Sequence, residues 1–318
     1  MSLIETEVLQ VESYEVSNRK EWDALVEKCK SPLFLFYRDY MDYHADRFED
    51  ASVMVYRNGK LIALMPCNNE GEYVVTHGGL TYGGLLYTTD LHAADIVLVL
   101  QAVMTHFKAL GKTQLLYKAI PRPFFTYPAD EDLYALTKLG GRLVRRDLST
   151  VIKQCARLKL SDSRKSTARR AGKAGAYVGE VRDLVSFHKL LSNVLGKFGV
   201  KPVHSLEELQ LLISRFPDNI IVFGTFLKDE LLAASLIFDF GHIVHTQYLA
   251  SSDEGRKLGA LDFLLVDLTQ GKYADREFFS FGISTECNGM HLNEGLIRQK
   301  EGFGGRGLVH DFYRLDLR

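Results

Sequence analysis

The chain has 318 residues, of which 46% are hydrophobic and 25% are charged, a composition that excludes a disordered, collagenous or coiled-coil protein. This length predicts about two domains. The formal net charge of −1, from 39 Lys and Arg against 40 Asp and Glu, argues against a surface built throughout for polyanions but allows a local basic patch.

The four cysteines lie far apart and form no C-x-x-C pair, so they encode neither a zinc knuckle nor a dithiol redox motif. They are Cys29, Cys67, Cys155 and Cys287, and we expect reduced thiols. No signal-peptide pattern opens the chain, and no apolar run reaches the ~20 residues that span a bilayer. We therefore expect a cytoplasmic protein without an integral membrane span.

The first half of the chain begins with an aromatic stretch, residues 34–44. It predicts one helix packed onto the first domain, with Tyr37 or Tyr40 as candidates for lining a substrate cleft. Asn58-Gly59 then separates two apolar runs, which is the strongest short signal for a β-hairpin. The remaining elements of this half are predicted strands at 72–77 and 83–88, a helix at 93–110 and a strand at 114–120.

The second half repeats this order about 165–170 residues later. Two apolar runs flank Lys228-Asp229-Glu230, and the next predicted elements are a strand at 242–251, a helix at 257–272 and a strand at 277–283. Such a repetition indicates a duplicated unit. We therefore predict an α/β fold of two units, each with an antiparallel meander, a crossover helix and a strand parallel to its neighbour. The predicted domains are residues 1–155 and 156–318.

A basic helix is predicted between the two copies, at residues 162–174, before a short strand at 176–181 and helices at 181–198 and 205–216. Residues 157–173 contain one acid, Asp162, and seven basic residues: Arg157, Lys159, Arg164, Lys165, Arg169, Arg170 and Lys173. Lys165 and Arg169 are i,i+4 neighbours on such a helix, with Arg170 beside them. The positive charge of these side chains suits an anionic ligand such as a nucleotide-linked precursor, a phosphate or a tRNA end. The alternative is a solvated basic face without a ligand.

Several familiar motifs are excluded by their context. Residues 302–307 match G-x-G-x-x-G, but an alternating strand follows them instead of a helix, so they are not a dinucleotide site. The sequence has no P-loop, no H-E-x-x-H, no G-x-S-x-G and no cluster at metal-ligand spacing, so we expect no metal. The glycine-rich segment 77–84 is interpreted as a loop between strands.

A candidate phosphate-binding segment follows the strand at 242–251. A helix that starts near Leu258 exposes backbone N–H groups, and such a terminus attracts phosphate. Arg256, Lys257 and Gly259 are similar to the R-x-x-G-x-G/A loop by which GNAT acyltransferases hold the pyrophosphate of coenzyme A, although Leu261 stands where the last small residue belongs. The alternative is an ordinary helix start with solvated basic residues.

Two further segments resemble one known family. GLIRQKEGFGG at 295–305 resembles the C-terminal Lys-x-x-Phe-Gly element of the Fem-type peptidoglycan aminoacyltransferases, and 163–178 is similar to their basic helix and following strand. The resemblance implies two GNAT-like domains in tandem, with mixed, mostly antiparallel sheets and flanking helices. The long helical hairpin by which several members are thought to engage tRNA is absent here, and the partial R-x-x-G loop leans toward relatives that use acyl-CoA.

What the resemblance implies for function is transfer of an acyl or aminoacyl group. The donor is acyl-CoA or aminoacyl-tRNA, the acceptor is an amine of a small molecule or a cell-envelope precursor, and no DNA or metal takes part. The lysine equivalent to Lys300 is assigned to the active centre of that family. An ammonium there would stabilise negative charge on the carbonyl oxygen, whereas the alternative is a lysine that complements a helix end.

The attacking amine must also lose a proton. Candidate bases or relays are His245, Tyr248, Glu286, Asn288 and Asn293. Because the R-x-x-G loop is incomplete and no base is unmistakable, the rival hypothesis is a non-catalytic module that binds a nucleotide-sugar or a partner protein.

Overall fold

The structure, a computed structural model, describes residues 9–197 and 199–317. The helices are α1 (Arg19–Lys28), α2 (Arg38–Met41), α3 (Ala93–Ala109), α4 (Glu131–Lys138), α5 (Asp162–Lys173), α6 (Leu184–Gly196), α7 (Leu206–Arg215), α8 (Asp253–Leu258), α9 (Ala260–Asp267) and α10 (Glu294–Glu301). The strands of the first half are β1 (Leu9–Ser13), β2 (Val53–Arg57), β3 (Lys60–Met65), β4 (Asn68–Glu70), β5 (Tyr73–Val75), β6 (Leu86–Tyr87), β7 (Gln114–Lys118) and β8 (Arg142–Lys153). Those of the second half are β9 (Tyr177–Glu180), β10 (Ile220–Leu227), β11 (Glu230–Asp239), β12 (Ile243–Ser251), β13 (Phe278–Ile283), β14 (Thr285–Glu286), β15 (His291–Leu292) and β16 (Arg306–Asp316).

The chain divides into two units. Unit 1 comprises Met1–Asp147 and Val309–Arg318, and unit 2 comprises Leu148–Leu308. The chain passes from one unit to the other inside β8 and again inside β16. The last residues therefore group with unit 1, whereas the sequence analysis assigned the whole C-terminal end to the second domain.

Unit 1 contains a four-stranded sheet with the strand order β1-β2-β3-β6. It also contains a second run of hydrogen-bonded strands, in the order β4-β5-β7-β16. The β2–β3 hairpin turns at Asn58 and Gly59, which both have positive φ as the predicted turn requires. After the crossover helix α3, β7 runs parallel to β5. The core of this unit includes Trp22, which is fully buried and donates its indole N–H to the carbonyl of Phe36 at 2.8 Å.

Unit 2 has the strand order β8-β13-β12-β11-β10-β9. Its hairpin turns at Lys228 and Asp229, both at positive φ, and β13 runs parallel to β12. The core packs α9 against this sheet through Ile152, Phe223, Ile237, Val244, Leu264, Leu265, Leu268, Tyr273, Phe279, Phe281 and Phe303. Both units thus follow the predicted order of hairpin, crossover helix and parallel strand.

Three predicted elements differ from the structure. Residues 34–44 form three short helical turns instead of one helix, because Tyr37 has an extended backbone with φ −67° and ψ 144°. Tyr40 is buried in the core, and Tyr37 is half-buried. The single helix predicted at 257–272 is broken at Gly259, whose φ is +88°, into α8, α9 and a terminal π-helical turn, 268–272. The strand predicted at 83–88 is reduced to β6.

Candidate functional site

The parallel strands of unit 2 separate shortly after they begin to pair. β12 and β13 are matched over three residue pairs, and His245 opposite Ser280 is the last of these. Beyond this pair, Gln247 is the extra residue of a bulge in β12 and has no partner residue on β11. The register of β13 against β8 shifts between Ser280 and Ile283. We call the part of the two strands beyond this pair, residues 246–249 and 281–284, where they no longer pair with each other, the strand opening.

A cavity of about 280 Å³ lies beside the C-terminal part of β12. Its walls are Arg164, Val194, Leu249, Ser251, Gly255, Arg256, Gly259, Leu261, Asp262 and Gln299. These residues come from α5, α6, β12, α8, α9 and α10. The structure therefore brings together the three segments that the sequence analysis treated separately: the basic helix, the partial R-x-x-G loop and the C-terminal Lys-x-x-Phe-Gly element.

Close backbone approach explains why these segments meet. A Cβ on Gly259 would overlap with Thr167 of α5, so only glycine allows α5 to pack against the α8–α9 junction. Arg170 fixes the same junction, because its Nε donates to the carbonyl of Leu258 at 3.1 Å. The backbone N–H of Ser161, which caps α5, donates to the carbonyl of Gly302 at 2.9 Å.

One wall of the cavity carries an ion pair. Nη1 of Arg164 lies 2.6 Å from Oδ1 of Asp262, and the Asp262 side chain is 8% exposed. Asp262 is the third residue of α9, where a carboxylate complements the helix dipole. The N-terminus of α9 thus has its own carboxylate, and Ala260 at its start is fully buried. This arrangement differs from the open phosphate-binding helix terminus that the sequence analysis expected near Leu258.

Exposed cations lie on two of the helices that line the cavity, and Arg256 is itself one of the lining residues. Lys165 and Arg169 lie on α5, and Arg256 and Lys257 lie on α8, all with exposed side chains. Asp253 is 3.3 Å from Arg256, whereas no carboxylate in residues 9–197 and 199–317 pairs with Lys165, Arg169 or Lys257. We call these four side chains the basic rim. Arg256 and Lys257 share the field of Asp253, so the charges of Lys165 and Arg169 are the ones most available to an anionic ligand.

Lys300 lies close to the strand opening but is buried. Its Nζ donates to the carbonyls of Gly282 at 3.0 Å and Ile283 at 2.6 Å and to Oγ of Ser284 at 2.9 Å. Burial lowers the pKa of this ammonium to about 8. Its three protons are thus all directed at protein acceptors at the end of β13.

The candidate bases occupy different environments. His245 is half-buried at the strand opening, with Nδ1 3.1 Å from Oγ of Ser280. Tyr248 is held by His204, whose Nδ1 is 2.7 Å from the phenol oxygen, and burial raises the pKa of Tyr248 to about 12. The Tyr248 hydroxyl is therefore protonated at neutral pH.

The remaining candidates belong to the exposed β14–β15 hairpin and to α10. Glu286 is exposed and accepts from Nδ2 of Asn293 at 2.8 Å, and Asn293 caps α10 by accepting from the N–H of Leu296. Asn288 lies in the hairpin turn with φ +53°. These side chains stabilise the hairpin and the helix start, and none of them lines the cavity.

Sequence reasoning missed His204 and Asp262. Neither residue belongs to a motif, and their partners lie 44 and 98 residues away in the chain. Among the described residues no group of His, Cys, Asp and Glu side chains is arranged to hold a metal ion. Across that same part of the chain, no helix combines the length and the apolar character needed to cross a bilayer.

Comparison with solved structures identifies the fold. No protein-family profile and no curated protein sequence matches the chain. FemX matches 96% of this chain over 97% of its own length with a TM-score of 0.66 and 12% identity. The C-terminal domain of a putative lysylphosphatidylglycerol synthetase from Agrobacterium fabrum covers 94% of this chain and 91% of its own, with a TM-score of 0.62 and 11% identity.

A tandem GNAT protein from the clavulanic acid biosynthesis pathway covers 98% of this chain and 99% of its own, with a TM-score of 0.53 and 11% identity. At these identities the likeness concerns the fold alone. The chain shares its fold with FemX and with the tandem GNAT protein, as the sequence resemblance predicts.

Proposed function

We propose that the protein is an acyl or aminoacyl transferase that moves an acyl group from an activated donor to an amine. The amine nitrogen attacks the carbonyl carbon of the donor, and a C–N bond forms. The C–S or C–O bond to the carrier breaks, the amine gives its proton to a base, and the released carrier takes up a proton. This chemistry needs a slot for the acyl group, a donor toward the carbonyl oxygen and a base.

The observation that carries this proposal is the strand opening beside a cavity with a basic rim. The opening gives an extended acyl chain access to backbone groups of β12, and the bulge at Gln247 turns backbone groups out of the β-ladder. A backbone N–H directed at the carbonyl oxygen stabilises the charge that develops during acyl transfer. Two candidate bases, His245 and Tyr248, lie on β12 at the opening. His245 is the better base, because an imidazole takes up a proton near neutral pH, whereas the Tyr248 phenol is held by His204.

The basic rim suggests how the donor is held. Coenzyme A and the end of a tRNA both carry phosphates, and exposed lysine and arginine side chains attract them without a dedicated loop. The Arg164–Asp262 pair at the cavity wall puts a carboxylate at the start of α9, which supports the rim, rather than that helix start, as the proposed position of these phosphates. The fold neighbours include FemX and a domain of a putative lysylphosphatidylglycerol synthetase, and the second name describes an aminoacyl group on a phospholipid, which supports a transferase. The acceptor that we propose is an amine of a small molecule or of a cell-envelope precursor.

A thermal-shift comparison tests the donor class. Acyl-CoAs, aminoacyl-tRNA and nucleotide-linked muropeptides are each titrated, because a ligand that binds only the folded state raises the Tm. We expect one donor class to stabilise the protein selectively and the same donor to be consumed when an amine acceptor is added. Saturable binding without turnover for every donor and acceptor pair would contradict the transferase and favour the non-catalytic binding module.

A further inference from the structure

The ammonium of Lys300 is saturated by the protein. An ammonium carries three protons, and the acceptors of Gly282, Ile283 and Ser284 all lie within 3.0 Å of Nζ. A group with every proton engaged does not also donate to a reacting carbonyl in this conformation. Lys300 therefore acts on the segment whose acceptors it binds, residues 282–284.

That segment is the end of β13, where the strand leaves β12. The carbonyls of consecutive residues in an extended strand point in opposite directions, yet those of Gly282 and Ile283 both point at Nζ of Lys300. This is possible because Gly282 leaves the extended conformation, with φ +72°. The bend and the ammonium thus depend on each other, since without the cation two carbonyls would face each other with no donor between them.

The bend forms a wall against His245. A Cβ on Gly282 would lie 3.3 Å from Cε1 of His245, so the glycine backbone is in direct packing range of the imidazole. The ring also contacts Ser280, whose Oγ lies 3.1 Å from Nδ1. Any movement of residues 282–284 therefore changes the space in which the His245 ring sits.

We infer that Lys300 is a positioning residue: it clamps residues 282–284 in the bend that keeps the strand opening apart and holds the His245 ring in place. This inference rests on the proposed function only in assigning His245 to the reaction. The clamp itself is a statement about structure and is measured without any substrate.

The experiment compares Lys300→Met with Ser284→Ala, which removes one acceptor of the clamp and leaves the lysine. Lys189→Met, a substitution of an exposed lysine on α6, is the matched control. The Cε1–H resonance of His245 is followed by NMR in histidine-labelled protein, assigned with His245→Gln, and its pH titration is recorded. We expect Lys300→Met to shift the resonance and its titration midpoint, Ser284→Ala to shift them by less, and Lys189→Met to leave both unchanged.

The kinetic arm uses the donor found by thermal shift. Misplacing a reacting group by about 1 Å can cost about 10²-fold in rate, so we expect kcat to fall by about 10- to 100-fold in Lys300→Met, with the KM of the donor little changed. Lys300→Arg, which keeps the charge and the donors, should restore part of the loss.

The NMR measurement and the kinetic measurement test different claims. An unchanged His245 resonance in both Lys300→Met and Ser284→Ala would overturn the clamp, even if kcat falls, and would leave a direct role on the carbonyl oxygen. A shifted resonance in a protein that transfers no acyl group would support the clamp and refute the proposed function. If Lys300→Met does not fold, Ser284→Ala decides the question alone.

Discussion

Tyr248 and His204 form a side-chain pair that fixes the loop before α7 to β12. The phenol oxygen lies 2.7 Å from Nδ1 of His204, and His204 is 4% exposed. With the pKa of Tyr248 raised to about 12 by burial, the phenol cannot accept a proton from an amine at neutral pH. The raised pKa thus disfavours Tyr248 as the base that takes the amine proton, and we propose that its contact with His204 has a stabilising role.

We expect Tyr248→Phe to lower the free energy of unfolding by about 1 kcal/mol, the net contribution of one hydrogen bond, and to leave kcat close to that of the parent. Urea denaturation and steady-state kinetics measure the two effects. Tyr177→Phe is the control, because this exposed tyrosine also donates to a side chain, Asp229, at 3.0 Å. A large fall in kcat with unchanged stability would restore the catalytic role of Tyr248.

At the scale of elements, the α8–α9 junction depends on one glycine. Gly259 has φ +88°, which costs an L-residue with a Cβ roughly 1–2 kcal/mol, and a Cβ there would overlap with Thr167. We expect Gly259→Ala to lower the free energy of unfolding by at least about 2 kcal/mol. The control is Gly196→Ala at the end of α6, where a Cβ meets no atom within 4 Å. That change should be neutral or stabilising by up to about 1 kcal/mol. Equal losses in both variants, measured by urea denaturation, would contradict this account.

The basic rim belongs to the element scale as well, because two helices contribute to it. If Lys165 and Arg169 attract the donor in its ground state and in the transition state alike, Lys165→Ala with Arg169→Ala should raise the KM of the donor and change kcat little. Salt should reduce this effect, since exposed charges are screened over about 8 Å at physiological ionic strength. Lys108→Ala with Lys138→Ala, exposed lysines of unit 1, should leave KM unchanged. A KM effect that is the same at low and high salt would exclude an electrostatic role for the rim.

The elements that could be predicted from the sequence are those set by local chemistry. The β2–β3 turn follows from Asn58-Gly59, and α3 and β7 begin and end within two residues of their predicted bounds. The basic helix α5 and the R-x-x-G segment were each recognised, but not their contact. That contact depends on the absence of a side chain at Gly259 and on the Arg164–Asp262 pair across 98 residues. Neither the close approach at Gly259 nor the Arg164–Asp262 pair is marked by a periodic pattern or a fixed spacing in the sequence.

At the scale of the whole molecule, the duplication extends to details of charge. The crossover helix of each unit has an aspartate as its third residue: Asp95 in α3 and Asp262 in α9. Each pairs with an arginine at 2.6 Å, Arg57 in unit 1 and Arg164 in unit 2. Both helix starts are therefore supplied with an internal carboxylate that complements the dipole, including the helix start in the second half at which the sequence analysis predicted phosphate binding.

The two units differ at the parallel strands. In unit 1 the pairing of β5 with β7 ends at Val75 opposite Leu116. Beyond this point hydrogen bonds still join the two segments of the chain. The N–H of Lys118 donates to Oγ1 of Thr76 at 2.8 Å, and the N–H of Gly83 donates to the carbonyl of Lys118 at 2.9 Å. The loop 77–84 closes around the same lysine, whose Nζ donates to the carbonyls of His77 and Leu80. A strand opening like that of unit 2 is filled here by the chain's own backbone.

This difference predicts one donor per chain, although the fold is duplicated. Isothermal titration with the donor identified by thermal shift should give a stoichiometry near one, because in unit 1 the chain's own backbone bridges the parallel strands beyond their paired part. The Lys165→Ala and Arg169→Ala double variant should weaken that single isotherm at low salt, since the rim that attracts the phosphates borders the same cavity. Lys118→Met, which removes the cation that holds the loop of unit 1 closed, should leave the affinity and the stoichiometry unchanged in protein that remains folded. A stoichiometry of two, or a single isotherm that responds to Lys118→Met and not to the rim variants, would place donor binding in unit 1 and contradict this assignment.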